Sequence, residues 1–219
     1  MTGRERLVAA SRGGDLDCQP IVVWSESPGH VADGICVSMA GLQDALRTHP
    51  DQAVLGEILS PIGRAAYFGL DLVQILRDDP ERGSEELQKI ADDVRRGIER
   101  ALDLGADGIF YRLIGAMPAM TTPMEYGGHF LEVDRELLST AQGARINLLW
   151  IEGDDEPYLD FVSDLPASLL GWDVVSTGIE IAKVRSMRTG ALCGPDAQAD
   201  VYFTSSFDEA ARLRENRPA

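Results

Sequence analysis

Cysteine is scarce in this 219-residue chain: Cys18, Cys36 and Cys193 form an odd, widely separated set. Such a set excludes a disulfide framework and points to a reducing compartment, so a cytoplasmic location is expected. No run of about 18 apolar residues occurs, which excludes a transmembrane helix. The opening Thr2-Gly3-Arg4-Glu5-Arg6 lacks the apolar core of a secretory signal. Positive charge is also short, with 20 Lys and Arg against 36 Asp and Glu, a net charge of −16. That balance argues against nucleic acid and anionic membrane as partners and leaves a small-molecule ligand as the expected one. There is no short repeat and no low-complexity segment. What remains, 44% hydrophobic residues, is enough for one substantial core, so residues 1–219 are expected to form a single domain.

What is present is a device used several times between Ser84 and Asp173: a helix-patterned segment ending in glycine, followed at once by a short apolar strand. Leu87, Ile90, Ala91, Val94, Ile98, Ala101 and Leu102 recur at helical spacing, with Asp92, Arg95, Arg96 and Glu99 on the opposite face. Ser84 is positioned to cap this helix, Gly105 to end it in a left-handed turn, and Gly108 to Tyr111 to form a buried strand. Strands alternating with helices build a parallel sheet, whose chemistry sits where strands end.

Further elements follow the same pattern. Thr2 and Glu5 form a capping box ahead of a short helix that Gly13-Gly14 ends. Strands are expected at Ile21 to Trp24, Ala53 to Ile58, Ile146 to Ile151, Ser168 to Asp173, Ala191 to Cys193 and Val201 to Phe203. Helices are expected near Leu42 to Leu46, Phe130 to Leu138, Ile179 to Met187 and Asp208 to Arg214, and 77–83 reads as a linker. Six or seven strands result.

Several residues near the expected strand ends carry chemistry. Arg112 suits a substrate carboxylate, gripped bidentately, or an ion pair with Glu125 or Glu152. Glu125 and Tyr126 place an acid and a phenol over the mouth, or the tyrosine packs the loop. His30 and His129 are acid–base candidates or plain surface residues. Met117, Met120 and Met124 line an adaptable pocket or fill core. Trp24, Trp150 and Trp172 suit a flat aromatic ligand if they share one cavity, and otherwise pack the barrel.

The order of motifs resembles the uroporphyrinogen decarboxylase and cobalamin-linked methyltransferase superfamily. Arg4-Glu5-Arg6-Leu7 through Arg12-Gly13, with Asp17 and Pro20, is similar to that family's opening segment. Leu104 to Ile109 resembles its central strand entry, and Pro123-Met124-Glu125-Tyr126 with Phe130-Leu131 its following loop and helix. Asn147 to Gly153, Gly171-Trp172-Asp173 and Ala191 to Gly194 resemble three later strands in the same order. The resemblance implies a (β/α)8 TIM-type barrel with its site at the C-terminal mouth. Family members are longer, and the gap falls near 77–84. The expectation is therefore a shortened or incomplete barrel, lacking βα units there and its last strand, with open edges covered by a second copy in a homodimer.

The resemblance also assigns chemistry, and this chain departs from it. The family's arginine-rich loop is here Trp24-Ser25-Glu26-Ser27-Pro28-Gly29-His30, without arginine. Glu57 stands at the place of the family's catalytic aspartate. Residues 151–173 hold seven acids and no Lys or Arg, which opposes a polycarboxylate substrate unless Arg112 and Arg64 compensate. Trp150 and Glu152 stand where the methyltransferase branch has the His and Cys of a zinc site, so no metal is assigned. A harder cation held by Glu152 with Glu57, Asp173 or Cys193 is the alternative. The implied activity is decarboxylation (a lyase of porphyrin metabolism) or methyl transfer, on a tetrapyrrole-linked or small carboxylate substrate, with no cofactor identified. Glu57 would be the acid or base, with Arg112 and Tyr126 completing the catalytic set. Trp24, Glu152, Trp172 and Asp173 would hold the substrate. The contrasting reading is a binding or scaffold protein that kept the barrel and lost the reaction.

Overall fold

Eight parallel strands close into a ring in chain order, so strand count and closure both match a (β/α)8 barrel. The computed structural model describes residues 1–25, 31–154 and 156–215. The strands are β1 (Ile21–Trp24), β2 (Gly34–Val37), β3 (Ala53–Leu59), β4 (Gly108–Leu113), β5 (Leu148–Ile151), β6 (Leu169–Trp172), β7 (Ala191–Gly194) and β8 (Val201–Thr204). Strand β8 pairs in parallel with β1, Val22 opposite Phe203. Helices α1 (Gly3–Ser11), α2 (Leu42–Thr48), α3 (Pro61–Tyr67), α4 (Leu72–Asp78) and α5 (Pro80–Asp103) precede β4. After it come α6 (Pro123–Glu125), a π-helical turn (Tyr126–Phe130), α7 (Leu131–Thr140), α8 (Leu159–Val162), α9 (Val174–Thr177), α10 (Ile181–Arg185) and α11 (Phe207–Glu215).

The closed ring corrects the expectation of an incomplete barrel. The strand missing from the sequence count is β2, four residues opening on glycine, which pairs with both β1 and β3. The stretch 77–84 holds no deletion of strands; Asp79 ends α4 and caps α5 through Arg82 N. Ser84 is therefore inside α5, its hydroxyl donating to Pro80 O at 2.7 Å, and is not its cap. Helices α8, α9 and α10 are short, with four, four and five residues. Because β8 closes onto β1, the ring exposes no strand edge, and the physical ground for an edge-covering homodimer falls away.

The core divides into two layers, as strand alternation requires. Val22, Cys36, Leu55, Phe110, Leu148, Trp150, Leu169, Cys193 and Phe203 fill the barrel interior. Ile21, Val23, Ile35, Val54, Ile109, Tyr111, Leu149, Leu170, Trp172 and Leu192 pack outward against the helices. Helix α5 lays Leu87, Ala91, Val94, Ile98 and Ala101 on that outer layer. Gly105, at φ +96, makes the turn into β4 that a side chain would strain.

The N-terminal end of the barrel is closed by α1 and ion pairs. Leu7 and Ala10 enter the interior cluster. Arg6 pairs with fully buried Asp33, which also receives Arg214 at 2.9 Å and the Ile21 amide at 2.8 Å. Buried Asp107 gathers Arg4, Arg145 and the Val54 amide at 2.8–3.0 Å. Carboxylates satisfied this fully hold loops and strand starts in register, leaving the opposite face for function.

Candidate active site

Strand parity decides which side chains reach the C-terminal mouth. Along β4, Phe110 faces inward, so Arg112 does too; along β3, Leu55 and then Glu57 share that side. Arg112 pairs in register with Trp150 of β5, and Glu152 lies just beyond that strand on the same side. The result is a clamp: Arg112 Nη1 donates to Glu57 Oε1 at 2.7 Å, and Nε donates to Glu152 Oε1 at 2.6 Å. The guanidinium carbon lies 4.3 Å from the centroid of the Trp24 ring. Burial opposes the charge, but the two carboxylates outweigh it and carry the guanidinium pKa above its ordinary value. Two carboxylates share one guanidinium, so the trio carries one excess negative charge.

Above the clamp lies a cavity of about 720 Å³. Trp24, Trp150 and Phe203 give it aromatic walls, and Ile114, Met117 and Ile151 add apolar surface. Trp150 stacks on Phe203 with centroids 4.1 Å apart, and Phe110 contacts both Trp24 and Phe203 at 5.6 Å. Glu152, Asp154, Asp173 and Glu209 line the same space, and among the described residues the lining holds no Lys, Arg or His. Asp173 also caps α9, accepting from the Val175 and Ser176 amides at 2.9 and 3.0 Å. Glu209 accepts from the hydroxyls of Tyr202 and Thr204.

Trp24, Arg112, Glu152 and Asp173 thus converge at the mouth. Arg112 and, through it, Glu57 sit behind Trp24 and Glu152 and are absent from the cavity lining, so Glu152 is the clamp carboxylate that faces a ligand. Trp172 does not join them. It faces the helices, fully buried, with Nε1 donating to Ile179 O at 3.0 Å. Gly171 is the residue of β6 that turns inward, and it makes room for Trp150: a Cβ there would lie 2.6 Å from the indole.

Tyr126 also lies elsewhere. Its hydroxyl donates to Asp134 Oδ2 at 2.8 Å, while Tyr111 donates to Oδ1 at 2.6 Å, behind the barrel wall. Burial pushes the Asp134 carboxyl up to about 6 against the pull of these two bonds. An acid between Phe130 and Leu137 on an otherwise apolar helix face was the sequence signal for this trio.

The remaining candidates take structural places. Glu125 pairs with Arg77 at 2.7 Å and Arg64 with Asp93 at 2.8 Å, so neither serves the mouth. Glu26 and His30 lie outside the described residues. Phe203, missed in the sequence reading, is signalled only by its parity with Val201 in β8. Cys36 and Cys193 are fully buried in the barrel interior, where burial raises both thiol pKa values. No group of three His, Cys, Asp or Glu able to hold a metal occurs among the described residues. Arg112 occupies the space between Glu57 and Glu152, so these two carboxylates hold a guanidinium between them.

No protein-family model matches this sequence, and no curated protein does. Among solved structures, the fold is similar to a methyltransferase from Methanosarcina mazei, with a TM-score of 0.76 and 11% identity, covering 98% of each chain. At that identity the likeness concerns the fold. No helix among the described residues is long and apolar enough to cross a membrane.

Proposed function

We propose that this barrel is an enzyme transferring a methyl group between small organic molecules bound in the mouth cavity, with Glu152 as the proton-accepting carboxylate. The observation that carries the reading is the clamp: Glu152 lines the cavity while its second contact, Arg112, is fixed from below by Glu57. Glu57 is thus a positioning residue, and Arg112 orients Glu152 and retains a positive charge beside it. In the transfer, an acceptor X–H gives its proton to Glu152 as the X lone pair bonds the methyl carbon. The bond from that carbon to the donor heteroatom breaks, and its electron pair stays on the donor. A positioned carboxylate of this kind contributes about 10²- to 10⁴-fold to rate.

Methyl transfer is favoured over decarboxylation by the cavity itself. Among the described residues, four lining carboxylates and no lining cation oppose a polycarboxylate substrate. The shared fold with a methyltransferase supports the same choice. The test supplies trimethylsulfonium, choline or methoxybenzene, each with a ¹³C methyl group, together with 2-mercaptoethanol, and follows S-methyl product by NMR. Product with the wild type and a fall of about 10²-fold or more in Glu152→Gln is expected. No product from any donor would overturn methyl transfer. The occupation of Arg112 by two protein carboxylates favours, in that event, a binding protein that retains the barrel.

A further inference from the structure

We infer that the mouth cavity recognises a small organic cation whose charge is spread over alkyl groups, a quaternary ammonium or sulfonium. This deepens the methyl-transfer reading by naming the class of its substrate, and it rests on that reading only for the turnover arm of its test.

Three observations converge. The walls are π faces, Trp24, Trp150 and Phe203, which attract a dispersed cation without needing hydrogen-bond donors from it. The rim supplies negative charge from Glu152, Asp154, Asp173 and Glu209, and Glu57 offsets the one guanidinium that touches Glu152, so Arg112 leaves the site with a net negative charge. Finally, the protein itself places a delocalised cation in this setting: the Arg112 guanidinium lies over Trp24 and against two carboxylates. Other ligand classes fit less well. A metal ion lacks a group of three ligating side chains among the described residues. An anion meets four carboxylates in the lining. A neutral flat ring would use the aromatic walls but leave the carboxylates uncompensated as it displaced their water.

Titration calorimetry with choline and with its neutral isostere 3,3-dimethyl-1-butanol separates charge from shape. Choline is expected to bind at least tenfold tighter, which is about 1.4 kcal/mol. Asp173→Asn, which preserves the helix cap, and Trp24→Leu should each reduce that preference several-fold, with thermal melts confirming that both variants fold. Equal affinity for the two molecules, or a preference unchanged in both folded variants, would overturn the inference. Tight choline binding without methyl transfer from any donor keeps the cation site and removes the enzymatic reading. Transfer from methoxybenzene with no choline preference does the reverse.

Discussion

The Arg112 guanidinium lies 4.3 Å from the Trp24 ring centroid, so the last inward residue of β4 and the end of β1 form a cation–π pair at the barrel mouth. The same guanidinium bridges Glu57 and Glu152, carried by β3 and the loop after β5. One side chain therefore ties three separate stretches of chain behind the cavity wall, where it touches the lining residues Trp24 and Glu152.

Replacing Arg112 with leucine leaves two carboxylates facing each other in a half-buried site. Hydrogen bonds to charged groups contribute about 1.5–3 kcal/mol each, discounted for the partial exposure here. A loss of about 1–3 kcal/mol is expected in urea unfolding. Combining Arg112→Leu with Glu57→Gln should recover part of that loss, because repulsion is relieved. A double variant no more stable than the single one would contradict the clamp.

Asp134 gives a pH dependence of definite sign. Its carboxyl titrates near 6 in the folded chain against 3.8 unfolded, so between those values the folded state holds more protons. Stability from this residue is present below about pH 4 and falls as pH rises toward about 6. Urea midpoints of the wild type minus those of Asp134→Asn, taken from pH 4 to 7, should therefore decline with rising pH. A flat or rising difference would show that the buried carboxyl is not held at a raised pKa.

Gly171 tests the packing that shapes the cavity. Its missing Cβ would fall 2.6 Å from Trp150 Cε3 and 3.0 Å from the Cys193 carbonyl oxygen. Gly171→Ala must move the indole off Phe203, with a cost of about 1–3 kcal/mol and a changed tryptophan fluorescence. A variant with wild-type stability and emission would contradict the close approach.

Uroporphyrinogen should not be decarboxylated at an enzymatic rate, given four acids and no cation among the described lining residues. Anaerobic incubation with that substrate checks this; turnover of about 1–10³ s⁻¹ would contradict the acidic cavity as the substrate site.

The sequence revealed the body of helix α5 and strand β4, because a long 3.6-residue period and Gly105 mark the helix and its junction with the strand, whereas the helix start lies at Pro80, four residues before Ser84. Strand β2 was hidden because four residues opening on glycine carry too little alternation. The clamp is half legible: the sequence offers Arg112 and Glu152 as an ion pair, and the resemblance puts Glu57 at the mouth. Trp172 failed on parity. In β6 the inward position falls on Gly171, which gives way to Trp150, so Trp172 packs outward against the helices. Packing was one of the two readings the sequence offers for Tyr126, and its partner Asp134, eight residues on past the π-helical turn, was not legible.

The three tryptophans report most directly on the central claim, that the ligand site is the cavity above the Arg112 clamp. Indole N–H resonances, assigned by single Trp→Phe variants, would be followed while tetramethylammonium is titrated into the ¹⁵N-labelled protein. Trp24 and Trp150 line the cavity, whereas Trp172 faces the helices with its indole nitrogen bonded to Ile179. Saturable shifts of Trp24 and Trp150, with Trp172 unmoved, are predicted. Shifts confined to Trp172, or no saturable shift of Trp24 and Trp150, would contradict the site.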